Sequence, residues 1–143
     1  MNNKTNEFRI GDVYLMQFDG VGSEQCGLRP GLVFQNNVGN HYSPNIIALP
    51  LTTSLKKVDQ PTHVFVPRDG TGLKKDSMVL CENPQRMSKE KIGRYLTTLP
   101  PHYMEKIAEA NLLASSAISF IDPEKLLDIQ RKAIQLNATD FVA

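Results

Sequence analysis

The apolar period of this chain changes once, at Pro100-Pro101, and that change constrains the fold more than any other feature. Before it, apolar residues come in short runs. These are Phe8 to Phe18, Leu32-Val33-Phe34 within Pro30 to Gln35, Asn45 to Leu51, Thr62 to Val66, Ser77 to Cys81 and Tyr95 to Leu99. Runs of this length, rich in branched and aromatic residues, predict strands. Turn signals separate them: Gly20-Val21-Gly22, Gly39-Asn40, Asp69-Gly70 and Gly72. After the change, Ile107, Ala110, Ala114, Ala117, Ile118 and Ile121 recur in steps of three and four, as on one face of a helix. A proline in its first turn does no harm, because the missing N–H has no partner there. Asp122-Pro123-Glu124 then predicts a fresh N-cap, a proline at the first helical position and an acid in the first turn. Leu126, Ile129, Ala133 and Leu136 form the stripe of that second helix. Ser88-Lys89-Glu90-Lys91 predicts a further short helical turn between strands. The pattern is that of a small, bent antiparallel sheet followed by helices, an α+β class that is mainly β.

A chain of 143 residues is one domain and buries a sizeable core without staples. Its formal net charge of +1 gives no bulk attraction to nucleic acid. A polyanionic ligand would need a local positive field. Cys26 and Cys81 have no second cysteine or histidine at metal-ligand spacing, so no metal site is expected and both read as free thiols in a reducing compartment. No apolar run approaches the roughly 20 residues of a membrane span. Met1 to Glu7 is polar and carries no signal-peptide core. The chain therefore reads as cytoplasmic, with no membrane partner.

Three clusters carry enough polar chemistry to consider. Gly22-Ser23-Glu24-Gln25-Cys26-Gly27-Leu28-Arg29-Pro30 sets a carboxylate and a guanidinium in the gap between the first two strands. Pro30 restricts Arg29 to an extended conformation. Pro50-Leu51-Thr52-Thr53-Ser54 puts hydroxyls at the end of an apolar strand, with Lys56-Lys57 after it. On spacing alone both clusters read first as surface loops and turns. Gly70-Thr71-Gly72-Leu73-Lys74-Lys75-Asp76-Ser77 lacks the spacing of a phosphate loop and reads as a hairpin connection. His63 stands alone in an alternating strand, which reads as packed or solvated. No Ser-His-Asp arrangement is visible in the sequence.

In order, the chain has Gly11-Asp12-Val13-Tyr14, Gly22-Ser23-Glu24-Gln25, Gly27-Leu28-Arg29-Pro30, Gln35-Asn36, Gly39-Asn40, Pro61-Thr62-His63-Val64 and Asp76-Ser77. In that order and spacing, from about Arg9 to Ile121, the sequence resembles the MazF/PemK family of toxin endoribonucleases. The resemblance implies a small SH3-like barrel with short helices, working as a homodimer and silenced by a cognate antitoxin. It implies cleavage of single-stranded mRNA by attack of a ribose 2′-OH on the adjacent phosphate. The products are a 2′,3′-cyclic phosphate and a 5′-OH, with no metal or other cofactor. By the same resemblance Arg29 is the cation for the phosphate and Thr52 the hydroxyl that positions the reacting groups. Glu24 either orients Arg29 or accepts a proton. Gln35, Asn36, Asn40, Thr53 and Ser77 are the candidate contacts to the RNA, with Tyr42 and Phe34 as weaker stacking candidates.

The sequence departs from the family pattern in two places. Asn83-Pro84-Gln85-Arg86 places its arginine one position late. Residues 122–143 extend past the usual end, so the expected organisation is a toxin domain over 1–121 and a helical extension over 122–143. Two other readings remain: a non-enzymatic gyrase poison of the same fold, which resembles the CcdB kind, and a binding barrel that has lost activity. The first relies on a C-terminal tryptophan, and this chain has no tryptophan. The second sits poorly with the presence of Arg29, Thr52 and Glu24 together.

Overall fold

The computed structural model describes residues 7–19 and 27–138. Strand β1 is Asp12–Phe18, β2 Gly27–Val33, β3 Asn45–Thr52, β4 His63–Val66, β5 Ser77–Leu80, β6 Gln85–Ser88 and β7 Ile92–Thr98. Helix α1 is Asn37–Tyr42, α2 Pro101–Ser115 and α3 Leu126–Ala138. The strands form one antiparallel sheet in the order β4-β5-β3-β2-β1-β7, with β6 also paired to β3. β4 and β7 stay as edges, so the expected barrel is an open, strongly bent sheet rather than a closed one.

The bend is built on β3. Its first half, Asn45 to Ala48, pairs with β6, and its last residues, Leu51 and Thr52, pair with Val79 and Met78 of β5. Ile46 and Ala48 point into one core with Met16, Phe18 and Met87. Leu49 and Leu51 point into the other with Leu32, Val66 and Val79. From Ala48 onward β3 is buried on both faces, which gives the continuous apolar run Ala48 to Leu51, whereas Ile47 before it is exposed. Helix α2 closes the second core with Ile107 and Ala110. The Met16 and Phe18 side chains lie over Gly31 of β2; a Cβ there would press on both.

Several expectations are corrected. The helix after Pro101 does not run to Ile121. It stops at Ser115, because Ser116 turns left-handed at φ 57. The Ser116 carbonyl then accepts from the Ser119 hydroxyl at 2.6 Å and closes a short turn, Ala117–Phe120. Ala117, Ile118 and Ile121 therefore leave the helix face. The short turn after Ser88 is present as Lys89–Lys91 with Ser88 capping it, and Asp122 caps the turn Pro123–Lys125 that leads into α3. Two elements went unread in the sequence, α1 and β6. No helix among the described residues is long and apolar enough to cross a membrane.

A cleft at a fork in the sheet

The candidate site forms where two neighbouring strands part. β2 pairs with β3 only from Gly31 onward, Gly31 facing Pro50. Its first residues, Gly27 to Pro30, pair with β1 alone. β3 meanwhile continues past Pro50 and turns to β5. A proline has no N–H to give a ladder, and Pro30 and Pro50 stand on either side of the fork. Between the diverging strands lies a cleft of about 400 Å³. Arg29 and Pro30 line it from β2, Thr52 and Thr53 from the end of β3, and Ser77 from the start of β5. Long-range pairing thus brings Arg29 and Thr52, far apart in sequence, into the lining of one cavity.

Arg29 is half-buried and its Nε lies out of contact with solvent. Thr52 is 7% exposed, and its Oγ1 accepts from the backbone N–H of Ser54 at 3.1 Å. That bond uses a lone pair and leaves the hydroxyl proton for a ligand. Ser77 donates its own proton to the carbonyl of Lys75 at 2.9 Å, so it holds the backbone beside the cleft. Thr53 is exposed at the rim. Leu28 is 63% exposed on the same side, an apolar surface facing outward beside a cation.

The remaining predicted site residues are elsewhere. Glu24, with Ser23, Gln25 and Cys26, lies outside the described residues. Gln35, Asn36 and Asn40 do not reach the cleft. They form a knot of amides around α1. Asn36 caps the helix by accepting from Gly39 N–H at 2.8 Å. Asn40 is buried and donates to the Gln35 carbonyl at 2.8 Å, and Gln35 donates to the Asn40 amide oxygen at 3.3 Å. These bonds anchor the three around α1, and none of them lines the cleft. Phe34 packs on the core, and Tyr42 is exposed at α1, away from the cleft.

His63 is packed rather than catalytic: its ring bridges the Lys57 carbonyl at 2.8 Å and Glu82 at 2.9 Å. A larger hollow of about 450 Å³ between β4 and α2 contains His63, Lys106 and Glu109 but reaches neither Arg29 nor Thr52. Arg86, the displaced arginine, stands on β6 in another cavity with Gln17, Ser88 and Lys91. Among the described residues no group of histidines, cysteines and carboxylates has the makings of a metal site.

Sequence reading missed the cations beside the cleft. Lys74, Lys75 and Arg94 line a second cavity that shares Leu15, Pro30, Thr53 and Ser77 with the first. The signal was in the sequence, but Lys74-Lys75 read as part of a hairpin connection and Arg94 lies just before the predicted last strand.

The open bent sheet, with Arg29 and Thr52 lining one cleft where its strands part, is the frame against which relatives can be compared. Residues 9–114 match the model of the PemK-like, MazF-like toxins of type II toxin-antitoxin systems, and the chain belongs to that family. It is 37% identical over 111 residues to the endoribonuclease EndoA of Bacillus subtilis, covering 77% of this chain and 96% of that one. Among solved structures it is similar to a mycobacterial endoribonuclease, with a TM-score of 0.64 at 26% identity, covering 78% of this chain and 93% of that one. It is also similar to a mycobacterial endoribonuclease solved with its cognate antitoxin. There the TM-score is 0.65 at 27% identity, over 76% of this chain and 95% of that one.

Proposed function

We propose that this chain, an endoribonuclease toxin of a toxin-antitoxin pair, cleaves single-stranded mRNA in the fork between β2 and β3, with Arg29 and Thr52 as its catalytic residues. The observation that carries the reading is that these two, from different strands, line one cleft. Cleavage by 2′-OH attack puts extra negative charge on the phosphate as the new P–O bond forms and the 5′-oxygen leaves. A half-buried guanidinium stabilises that charge, and the more so the less it must reorganise. It can bind two phosphate oxygens at once. Thr52, its lone pair held by Ser54, donates to a phosphate oxygen and fixes the ribose for in-line attack. An ordinary threonine hydroxyl is a poor base, so it positions rather than takes the proton. Glu24 remains the candidate for that proton or for orienting Arg29. Thr53 and Ser77 line the same cleft and hold the RNA or the backbone beside it.

The reaction needs no metal, and the products are a 2′,3′-cyclic phosphate and a 5′-OH. The protein works in the cytoplasm as a homodimer. The cognate antitoxin silences it by laying an extended segment over the cleft, as suits a partner that folds on binding. The toxin domain spans 1–121, and 122–143 is a helical extension of it.

The test is cleavage of a long single-stranded RNA in EDTA, with wild type beside Arg29→Ala and the ends mapped. Wild type is expected to cut at a recurring short word and leave 5′-OH ends. Arg29→Ala is expected to lose about a hundredfold or more, the usual scale for a preorganised charge, at an unchanged melting temperature. Wild-type cleavage by Arg29→Ala would remove Arg29 from the mechanism. An inert wild type would point to the binding barrel instead.

A further inference from the structure

We propose that the cavity next to the catalytic cleft is a nucleotide subsite, where an RNA strand leaving the scissile step seats one base and its flanking phosphates. The proposal rests on the reading of the Arg29–Thr52 cleft as an RNA site. The cavity is about 240 Å³. Leu15, Pro30, Leu73 and Leu96 give it an apolar lining, and Lys74, Lys75 and Arg94 stand around it as cations. An apolar slot takes the face of an unstacked base, and lysine and arginine take phosphates, which is the pairing that single-stranded nucleic acid requires. The two cavities share Leu15, Pro30, Thr53 and Ser77 and so lie side by side. In a chain of net charge +1, three cations around one slot are the local field that a polyanion needs.

The slot is built rather than incidental. Lys74 and Lys75 are exposed, but the loop that carries them is fixed. Gly72 sits at φ +81, and a Cβ there would overlap the Thr97 hydroxyl, so the loop lies directly on β7. Thr97 donates to the Thr71 carbonyl at 2.8 Å. Arg68 N–H donates to Asp76 at 2.8 Å, which ties down that nearby carboxylate. Ser77 holds the Lys75 carbonyl. The two lysines and Arg94, which comes from β7, are thus carried on backbone that is held in place beside the slot.

The experiment compares wild type with the triple variant Lys74→Gln, Lys75→Gln, Arg94→Gln, and with Lys74→Arg, Lys75→Arg. Binding is read by anisotropy, across a salt series, on a long single-stranded RNA made uncleavable by a 2′-deoxy nucleotide at the scissile step. Cleavage is read on the long RNA and on a trinucleotide that covers only that step. The triple variant is expected to weaken long-RNA binding about tenfold or more and to flatten the salt slope by about two, the value for three phosphate contacts on a single strand. The loss should fall on KM, and it should shrink to about threefold or less for the trinucleotide, which does not reach the slot. The arginine variant should restore binding. An unchanged Kd and salt slope in the triple variant would overturn the subsite while wild-type cleavage kept the ribonuclease reading intact. Equal losses on long RNA and trinucleotide would also overturn it, because the cations would then act at the scissile step or on the fold. So would weakened binding of a polyglutamate peptide with RNA binding unaffected. If wild type cuts no RNA at all, the catalytic reading fails on its own, and the anisotropy still decides whether the slot binds RNA.

Discussion

The toxin body and the helix that follows it are stabilised in opposite ways. In the body, Val13, Met16, Phe18, Leu32, Ile46 and Leu49 have no exposed surface at all. In α3 no residue is buried. Leu127 and Ile134 are 56% and 60% exposed, and Phe120 on the way to α3 is 90% exposed. A polar clasp near its end ties α3 to the body. Asn137 accepts from the Asn37 backbone N–H through its side chain and from the Asn37 amide through its carbonyl, both at 3.0 Å. Arg9 donates to the same carbonyl at 3.3 Å. Burial gives cooperativity, whereas a few part-buried hydrogen bonds give position and little more. The family match stops at residue 114, so the boundary in stability lies close to the boundary in kinship.

The comparison can be broken most forcefully from the body. Leu49→Ala removes a fully buried side chain from the middle of β3 and should cost about 2–5 kcal/mol. Calorimetry should show one transition at a lower temperature. A loss under about 1 kcal/mol would mean that the core relaxes around the gap far better than its packing implies. A shorter chain ending at Ile121 tests the other side. It should melt within about 4 °C of the full chain and still cut RNA, because the residues removed bury so little. A truncated body that fails to fold would show that α3 supports the core in a way burial does not reveal.

A finer cut is Asn137→Ala. It removes the acceptor of the Asn37 N–H and should cost about 1 kcal/mol. The effect should be local: faster amide exchange along α3 and α1, with the β3 amides as slow as before. Uniformly faster exchange would mean that body and extension open together.

These regions also differ in how far the sequence disclosed them. The period change at Pro101 and the Asp122-Pro123 cap were legible because both are local. The six-residue α1 was not, since one and a half turns leave no apolar period to detect, and its Asn36 cap reads equally as a turn. Strand β6 hides between Pro84 and polar residues, and only pairing with Asn45 to Ala48 makes it a strand. The same holds for the site. Arg29 and Thr52 looked like two loop ends until their order was set beside a known family. The fork that joins them depends on where β2 and β3 stop pairing, and no local rule encodes that. Lys74 and Arg94 meet across a loop and a strand for the same reason. Gln35, Asn36 and Asn40 stand around α1 rather than in the cleft, and amides that bond to a helix end look, in sequence, like amides that wait for a ligand.

Cys81 offers the smallest effect and the sharpest reporter of which region opens. Its thiol has no exposed surface, and it lies 3.8 Å from the Val79 carbonyl in the body's core. Burial first, and the neighbouring Glu82 second, push the thiol from 9.0 up to about 12. The thiolate is the reactive form, so native Cys81 should be almost inert to iodoacetamide at pH 8, and Leu49→Ala should label faster while Asn137→Ala should not. The pH dependence follows from the direction of the shift. An acid whose folded value is raised contributes stability that is fully present below its unfolded value and is lost as pH climbs toward the folded one. Between about pH 9 and pH 12 the wild type should therefore lose melting temperature faster than Cys81→Ala, whose cavity lowers stability equally at every pH. Parallel curves for the two proteins would mean that the core admits water to Cys81, and the claim that this body is stabilised by dry burial would fail at its centre.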